Sequence, residues 1–199
     1  MNNSTFYIKN MCCERCIVEV KRIFKNAGVP PLTVHLGEVV VNKTVSPNAQ
    51  KKIIKNLEEK GFSLVFSEDE KLVVNIQALL VFYLREYILK KEKLYKISNF
   101  LSKQLNRSYT QLSKIFKKNI GITIEKYFIK LKVEKAKELL ILNQIDIAEI
   151  AWLLGYSSSQ NFSTQFKIET GKTPGEYRVS PEPKRIHLPK LIKQNFKQK

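Results

Sequence analysis

The sequence of 199 residues has few cysteines, few acidic residues and no long apolar run, and each shortage excludes a class of protein. Its three cysteines all lie within residues 12–16, which excludes a framework of paired disulfides. The most apolar run, residues 72–84, contains Asn75 and Gln77 and is shorter than the roughly 20 residues of a membrane-spanning helix. Residues 1–5 are polar, so we expect no secretory signal. The prediction is a soluble cytoplasmic protein with no membrane partner.

Motifs for catalysis are also missing. The sequence has no Ser/His/Asp arrangement, no phosphate-binding glycine loop and no paired-carboxylate motif. One of the two histidines, His35, lies in a strand pattern and is expected to be an ordinary strand residue. We therefore expect a chain that is not an enzyme and has no catalytic residues.

Acidic residues number 18 against 35 lysines and arginines, which gives a formal charge of +17. The excess is uneven: residues 1–70 hold 10 basic and 8 acidic side chains, and residues 71–199 hold 25 and 10. A concentrated positive field favours a polyanion, and counterion release makes nucleic acid the first candidate. An anionic membrane surface would accept the same charge.

A helix-turn-helix pattern is present near the C terminus. Apolar residues at helical spacing, from Ile147 through Ile150 to Leu154, stop at Gly155, which accepts the left-handed conformation that ends a helix. Ser157 and Ser158 can then cap a second helix. Its predicted apolar face is Phe162, Phe166 and Ile168, and its end is predicted at Gly171 and Pro174.

The second helix of such a unit can place its first side chains in a DNA major groove. Amide side chains bond adenine bidentately, and hydroxyls bond several bases or a phosphate. The candidate DNA-binding residues here are Ser159, Gln160, Asn161, Ser163 and Thr164.

This stretch resembles the signature of AraC/XylS-type transcription regulators, A-x-L-x-G-Y-x-S-x-x-x-F-x-x-x-F-K-x-x-x-G-x-T-P-x-x-Y-R. The matching residues are Ala151, Leu153, Gly155, Tyr156, Ser158, Phe162, Phe166, Lys167, Gly171, Thr173, Pro174, Tyr177 and Arg178. The resemblance implies an all-α DNA-binding domain with two helix-turn-helix units joined by a long helix, and double-stranded promoter DNA as the partner.

A first copy of the unit lies upstream. Residues 112–127 align with residues 162–177 at an offset of 50, so the same supersecondary unit is expected twice. Asn106 is expected to occupy the turn position that Gly155 has in the other copy, and the recognition helix should start near Ser108. Residues 124–142 would form the helix that joins the two helix-turn-helix units. If the two recognition helices enter successive major grooves, they would lie about 34 Å apart. By position, the candidate DNA-binding residues of this copy are Tyr109, Thr110, Ser113 and Lys114.

Residues 1–70 alternate between strand and helix patterns in the order β-α-β-β-α-β, which predicts a ferredoxin-like α+β domain. Cys13 and Cys16 have C-x-x-C spacing where the first strand feeds a helix. The positive end of the helix lowers a thiol pKa, and thiolates bind soft metals. The same spacing also serves a redox thiol switch.

The loop, with the fold order and Gly61-Phe62 before the last strand, resembles heavy-metal-associated domains over roughly residues 4–68. The resemblance implies that Cys13 and Cys16 are metal ligands and that Met11 is buried. Cys12 is a third candidate ligand, and Asn10 replaces the usual glycine before the methionine. Thiolate ligands favour Cu(I), with Zn(II) as the alternative.

Residues 71–94 predict an amphipathic helix that also carries apolar residues on its opposite side, among them Val74, Phe82 and Leu89. This pattern favours burial on both sides, against residues 1–70 or in a homodimer. A helix buried entirely within one chain is the alternative.

The sequence thus predicts a thiol domain over residues 1–70, a connecting helix over 71–94, a double helix-turn-helix over 95–180 and a basic tail over 181–199. The predicted function is a transcription regulator responsive to a soft metal ion. An oxidant-sensing regulator without metal is the alternative. Two further readings are disfavoured: a repair enzyme with a sacrificial cysteine, because the clustered cysteines do not supply a multi-cysteine zinc domain, and a metallochaperone, because it leaves the basic part unexplained.

Overall fold

The computed structural model describes residues 3–11, 13–42, 44–90 and 96–181. The described residues divide into two compact units, of which the first holds residues up to Val81 together with 114–121, and the second holds residues 82–113 and 122–181. Cys12 of the predicted ligands, residues 91–94 of the predicted connecting helix and nearly all of the predicted tail lie outside the described residues.

The N-terminal module has the predicted order of elements around one sheet. The four strands pair antiparallel in the order β2-β3-β1-β4, with Phe6 opposite Val39 and Ile8 opposite Leu64. His35 is the last residue of a strand, as predicted. The elements are β1 (Ser4–Lys9), α1 (Glu14–Asn26), β2 (Thr33–His35), β3 (Glu38–Val41), α2 (Pro47–Glu59) and β4 (Ser63–Val65).

Local sequence explains both helices of this module. The apolar residues of α1 that recur at helical spacing, Cys16, Val20 and Phe24, are buried against the sheet core. Helix α2 begins at Pro47, because the fixed φ of proline suits the first helical position and the Ser46 hydroxyl accepts a hydrogen bond from the Ala49 amide at 3.3 Å.

The connecting helix α3 (Glu68–Lys90) begins three residues before its predicted start. Val73 and Val74 are both buried, so burial on two sides occurs within the chain over its first half. Phe82 and Leu89 are 44% and 68% exposed in the single chain, so they are not buried against residues 1–70, and their burial in a homodimer stays a prediction. Phe82 stacks on Phe100 with 6.4 Å between ring centroids.

Among the described residues, one helix is long and apolar enough to cross a membrane by length and composition. It is residues 68–89, and 44% of its most apolar window is buried inside the fold. The sequence argument that this region is too short for a span was therefore wrong, because polar residues at its centre do not interrupt the helix. Core helices of folded proteins pass the same test.

Six further described helices build the repeated part of the chain, and both predicted turns are present. Asn106 ends the first supporting helix with φ +48°, and Gly155 follows the second with φ +70°, so each takes the left-handed conformation. The helices are α4 (Ile97–Leu105), α5 (Tyr109–Ile120), α6 (Ile124–Leu142), α7 (Ile147–Leu153), α8 (Ser159–Thr170) and α9 (Pro174–Val179).

The offset of 50 in the sequence reappears as an identical burial pattern. Residues 111–124 and 161–174 have the same succession of buried, half-buried and exposed positions at all 14 places. Phe116 and Phe166 are both fully buried. One prediction is wrong: Ile168 is 72% exposed, because it follows Phe166 by two residues and so points away from the core.

Candidate nucleic-acid interface and thiol loop

The second recognition helix, α8, is capped and held by aromatic residues. The Ser158 hydroxyl accepts a hydrogen bond from the Asn161 amide at 3.1 Å, which fixes where the helix begins. Phe162 and Phe166 are fully buried, and Phe166 meets the Tyr177 ring with 5.6 Å between centroids. This anchoring leaves the opposite face in solvent. The predicted residues Ser159, Gln160, Asn161 and Thr164 are exposed, and Ser163 is half-buried.

A shallow depression runs along this exposed face, from Tyr156 in the turn past Thr164 to Ile168. The Asn161 side-chain amide donates to the Ser157 hydroxyl at 2.7 Å, which orients the side chain beside the turn. Sequence reasoning missed Gln165 and Ile168, which line the same depression. The helical steps from Asn161 to Gln165 and Ile168 were the available signal.

The first recognition helix, α5, exposes Thr110 and Lys114, with Ser113 half-buried. Tyr109 is different: its hydroxyl donates a hydrogen bond to the Glu125 carboxylate at the start of α6. Burial of the ring and this bond raise the pKa of Tyr109 well above its usual range. Of the residues predicted to contact DNA, Tyr109 thus has its hydroxyl committed within the chain.

The two recognition helices differ in charge on their exposed sides. Equivalent positions are Lys114 and Thr164, Lys118 and Ile168, and, just before the helices, Arg107 and Ser157. All six are exposed. The first helix therefore has more positive charge for contacts with phosphates than the second, in addition to its polar candidates for base contacts.

A buried ion pair joins α8 to the long helix α6. The Lys130 ammonium lies 2.9 Å from the Glu169 carboxylate, and the two side chains are only 5% and 11% exposed. Removing one of two buried charges leaves the other without a partner, so we expect the contact between α8 and α6 to depend on this pair.

Tyr156, in the turn before α8, is held from the α6 side. The Lys132 ammonium sits 4.5 Å from the centre of its ring, and burial lowers the pKa of Lys132. Burial, with a smaller effect of the Glu169 charge, raises the pKa of Tyr156 to about 12. One stretch of α6 thus contacts both the turn, through Lys132, and the recognition helix α8, through Lys130.

The thiol loop is fixed by its flanking residues. Asn10 has φ +77°, the conformation that favours glycine, and its side-chain amide donates to the Gly61 carbonyl at 2.9 Å. Asparagine tolerates this conformation, which accounts for its presence in place of glycine. Met11 is 3% exposed, as predicted, and its sulfur accepts a hydrogen bond from the Gly37 amide at 3.3 Å.

The two cysteines of the C-x-x-C motif lie close together at the N terminus of α1. Cys13 is the N-cap residue and is half-buried, whereas Cys16 is buried. Their sulfur atoms are 3.7 Å apart, which is well beyond a disulfide bond. Two metal–sulfur bonds of about 2.3 Å can bridge sulfurs up to about 4.6 Å apart, so the pair fits a single soft ion held at a bent angle. Over the described ranges no group of three or more His, Cys, Asp or Glu side chains is placed to hold a metal.

Comparison with known proteins assigns the helical part. Residues 101–180 match a family model described as a helix-turn-helix domain. The chain is 36% identical over 80 residues to the Msm operon regulatory protein of Streptococcus mutans, covering 40% of this chain and 29% of that protein. It is 42% identical over 71 residues to the xylose operon regulatory protein of Escherichia coli K12, and this match covers 36% of this chain and 18% of that protein.

A solved structure is also similar, the C-terminal domain of the two-component response regulator yesN from Fusobacterium nucleatum. It has 34% identity and a TM-score of 0.44, and the match covers 52% of this chain and 98% of that one. The chain spans less than half the length of the curated relatives named above.

The C-terminal part of the chain is therefore a DNA-binding helix-turn-helix domain. Its repeated unit and signature residues are similar to those of AraC/XylS-type domains. Double-stranded DNA is the partner of such a domain.

Proposed function

We propose that the whole chain is a transcription regulator of an operon, in which a soft metal ion bound by the N-terminal thiols controls DNA binding. The observation that supports it most directly is the pair of cysteine sulfurs 3.7 Å apart at the start of α1, in the same chain as two recognition helices. The curated relatives are named as operon regulators, which supports the transcriptional half.

The N-terminal module supports the sensory half. Its β-α-β-β-α-β order and antiparallel sheet agree with a ferredoxin-like, heavy-metal-associated domain. Cys13 and Cys16 would hold the ion, with Cys12 as a third ligand. Thiolates select Cu(I), and Zn(II) is the alternative. The ion would link the loop to the helix start, and DNA affinity would shift only if the two metal states differ in their preferred arrangement.

Replacing both Cys13 and Cys16 with serine is expected to remove metal binding and the metal dependence of DNA binding. The serine hydroxyls keep the size but do not supply soft thiolate ligands. The measurement is metal content per chain after purification under reducing conditions, followed by binding to selected DNA duplexes with and without Cu(I) or Zn(II). Equal DNA affinity in all of these states, variant included, would contradict metal control.

The redox alternative rests on the same distance. Two thiols 3.7 Å apart need only a small movement to form a disulfide, in which hydrogen peroxide takes up the two electrons and both thiol protons and leaves as two water molecules. Loss of two titratable thiols in metal-free protein, with a change in DNA affinity, would favour this function over metal sensing.

Two exposed residues of α8 are expected to act in different ways on DNA. Gln160→Ala should lose about 1–3 kcal/mol of discrimination at one base pair, since its amide can read adenine. Lys167→Ala should weaken binding to all sequences and reduce the slope of log affinity against log salt by about 1. Fluorescence anisotropy over a salt series, on selected and mismatched duplexes, measures both. Identical salt slopes and identical mismatch losses in the two variants would contradict this division of roles.

The same proposal places the protein in the cytoplasm, where promoter DNA lies, and assigns it no catalytic activity. It includes a homodimer in which α3 takes part, because Leu89 presents an apolar side chain that is 68% exposed. A sedimentation mass of one chain at micromolar concentration would contradict the dimer.

A further inference from the structure

The Tyr87 side chain, near the end of α3, lies against the turn of the second helix-turn-helix and occupies the space that a side chain at Gly155 would need. A Cβ atom on Gly155 would lie 2.7 Å from the Tyr87 hydroxyl oxygen and 2.8 Å from the ring carbon that bears it. Gly155 also has φ +70°, a backbone conformation that residues with a side chain rarely adopt. The Tyr87 ring therefore lies directly on the backbone of the turn between α7 and α8.

The helix that carries Tyr87 is itself fixed against the helical unit. One turn earlier, Tyr83 packs on Phe100 with 5.2 Å between ring centroids and on Phe128 with 5.7 Å. Aromatic contacts of this kind stabilise packing beyond the burial of their surface. The backbone of α3 near Tyr87 is therefore held by contacts other than the one with Gly155.

The turn of the first unit is built differently. Its left-handed residue is Asn106, which carries an exposed side chain, and α5 begins three residues later at Tyr109. In the second unit, α8 begins four residues after Gly155, at Ser159. The contact of Tyr87 with a glycine in the left-handed conformation thus belongs to the second turn, because the first turn has Asn106 in that conformation.

We propose that Tyr87 is a positioning residue for DNA recognition: through the Gly155 turn it sets the placement of α8, but not that of α5. The bases read by α8 then depend on Tyr87 at the end of α3, whereas those read by α5 do not. This inference rests on the proposed function, because it requires α8 to enter a major groove. It also makes the end of α3 part of the DNA-reading unit rather than a connector.

The test uses the full chain and DNA duplexes that the wild-type chain selects from a randomised pool. Methylation interference and single-base substitutions divide each selected site into the part read by α5 and the part read by α8. Tyr87→Ala is expected to reduce discrimination by on the order of tenfold at the α8 bases while leaving the α5 bases unchanged. Tyr87→Phe keeps the ring on Gly155 and is expected to stay within about twofold of wild type.

Gly171 supplies a matched control for the turn. It has φ +79° and open space around its Cβ position, so Gly171→Ala adds backbone strain without a clash. Gly155→Ala adds both the backbone strain and a clash with Tyr87. In a chain that already carries Tyr87→Ala, the Gly155→Ala change should weaken binding only as much as Gly171→Ala does, which isolates the contact between Tyr87 and the turn.

Tyr87→Leu replaces Tyr87→Ala if the alanine variant does not fold, as judged by far-ultraviolet circular dichroism, and the same asymmetry is expected. Equal losses at the α5 and α8 bases, or no loss at either, would overturn the positioning role while leaving the proposed function in place. Failure of the wild-type chain to select any duplex would overturn the proposed function and this inference with it.

Discussion

Replacing Lys130 with methionine is expected to lower the free energy of unfolding of the helical domain by about 3–5 kcal/mol. The change leaves the Glu169 carboxylate, only 11% exposed, without the ammonium that lies 2.9 Å away in the native protein. The chain has a single tryptophan, Trp152 in α7, so urea unfolding followed by tryptophan fluorescence reports on this domain.

Two controls separate the buried pair from a general effect of the substitution. Lys135 is on the same helix and forms a 3.0 Å pair with Glu138, but these side chains are 40% and 30% exposed, so Lys135→Met should cost under about 0.5 kcal/mol. Combining Lys130→Met with Glu169→Leu removes both charges and should restore most of the stability. Equal losses for Lys130→Met and Lys135→Met would show that the pair does not hold α8 on α6.

Gly37→Ala is expected to destabilise the N-terminal module by about 2–5 kcal/mol. Gly37 has φ +86°, and a Cβ there would overlap the Val74 side chain of α3. The Gly37 amide also bonds the sulfur of Met11, so displacement of the turn would disturb the thiol loop. Urea unfolding followed by far-ultraviolet circular dichroism, together with metal content, measures both effects.

Gly61 is the control for this change. It has φ +81° with nothing near its Cβ position, so Gly61→Ala should show only the backbone strain of about 1–2 kcal/mol. Adding Val74→Ala to Gly37→Ala should recover the part due to the clash. The steric account is wrong if Gly61→Ala and Gly37→Ala are equally destabilising.

Local signals were sufficient to predict much of the fold. The order of strand and helix patterns gave the N-terminal elements, the apolar spacing up to Gly155 gave α7, and the offset of 50 gave the upstream copy of the helix-turn-helix. Each of these depends on a capping preference or on periodicity, which are properties of neighbouring residues. The predicted DNA-facing residues are also mostly exposed, although their contact with DNA remains a prediction.

The contacts that hold the site together were beyond such reasoning. Lys130 and Glu169 are 39 residues apart, and nothing local distinguishes them from the exposed lysines and glutamates nearby. Tyr87 and Gly155 are likewise joined only by the tertiary structure. The sequence also placed Ile168 in the core because it is apolar, although its step from Phe166 does not fit a helical face.

The identical burial of residues 111–124 and 161–174 means that the duplicated units share their pattern of buried and exposed positions, while the residues at many of these positions differ. A dimer of identical heads reads a palindrome, which looks the same from both ends. Here a single chain has lysine at positions 114 and 118 of α5, and threonine and isoleucine at the equivalent positions 164 and 168 of α8. A site recognised by a single chain would therefore have a left and a right, and inverting it would orient the bound protein the opposite way along the chromosome.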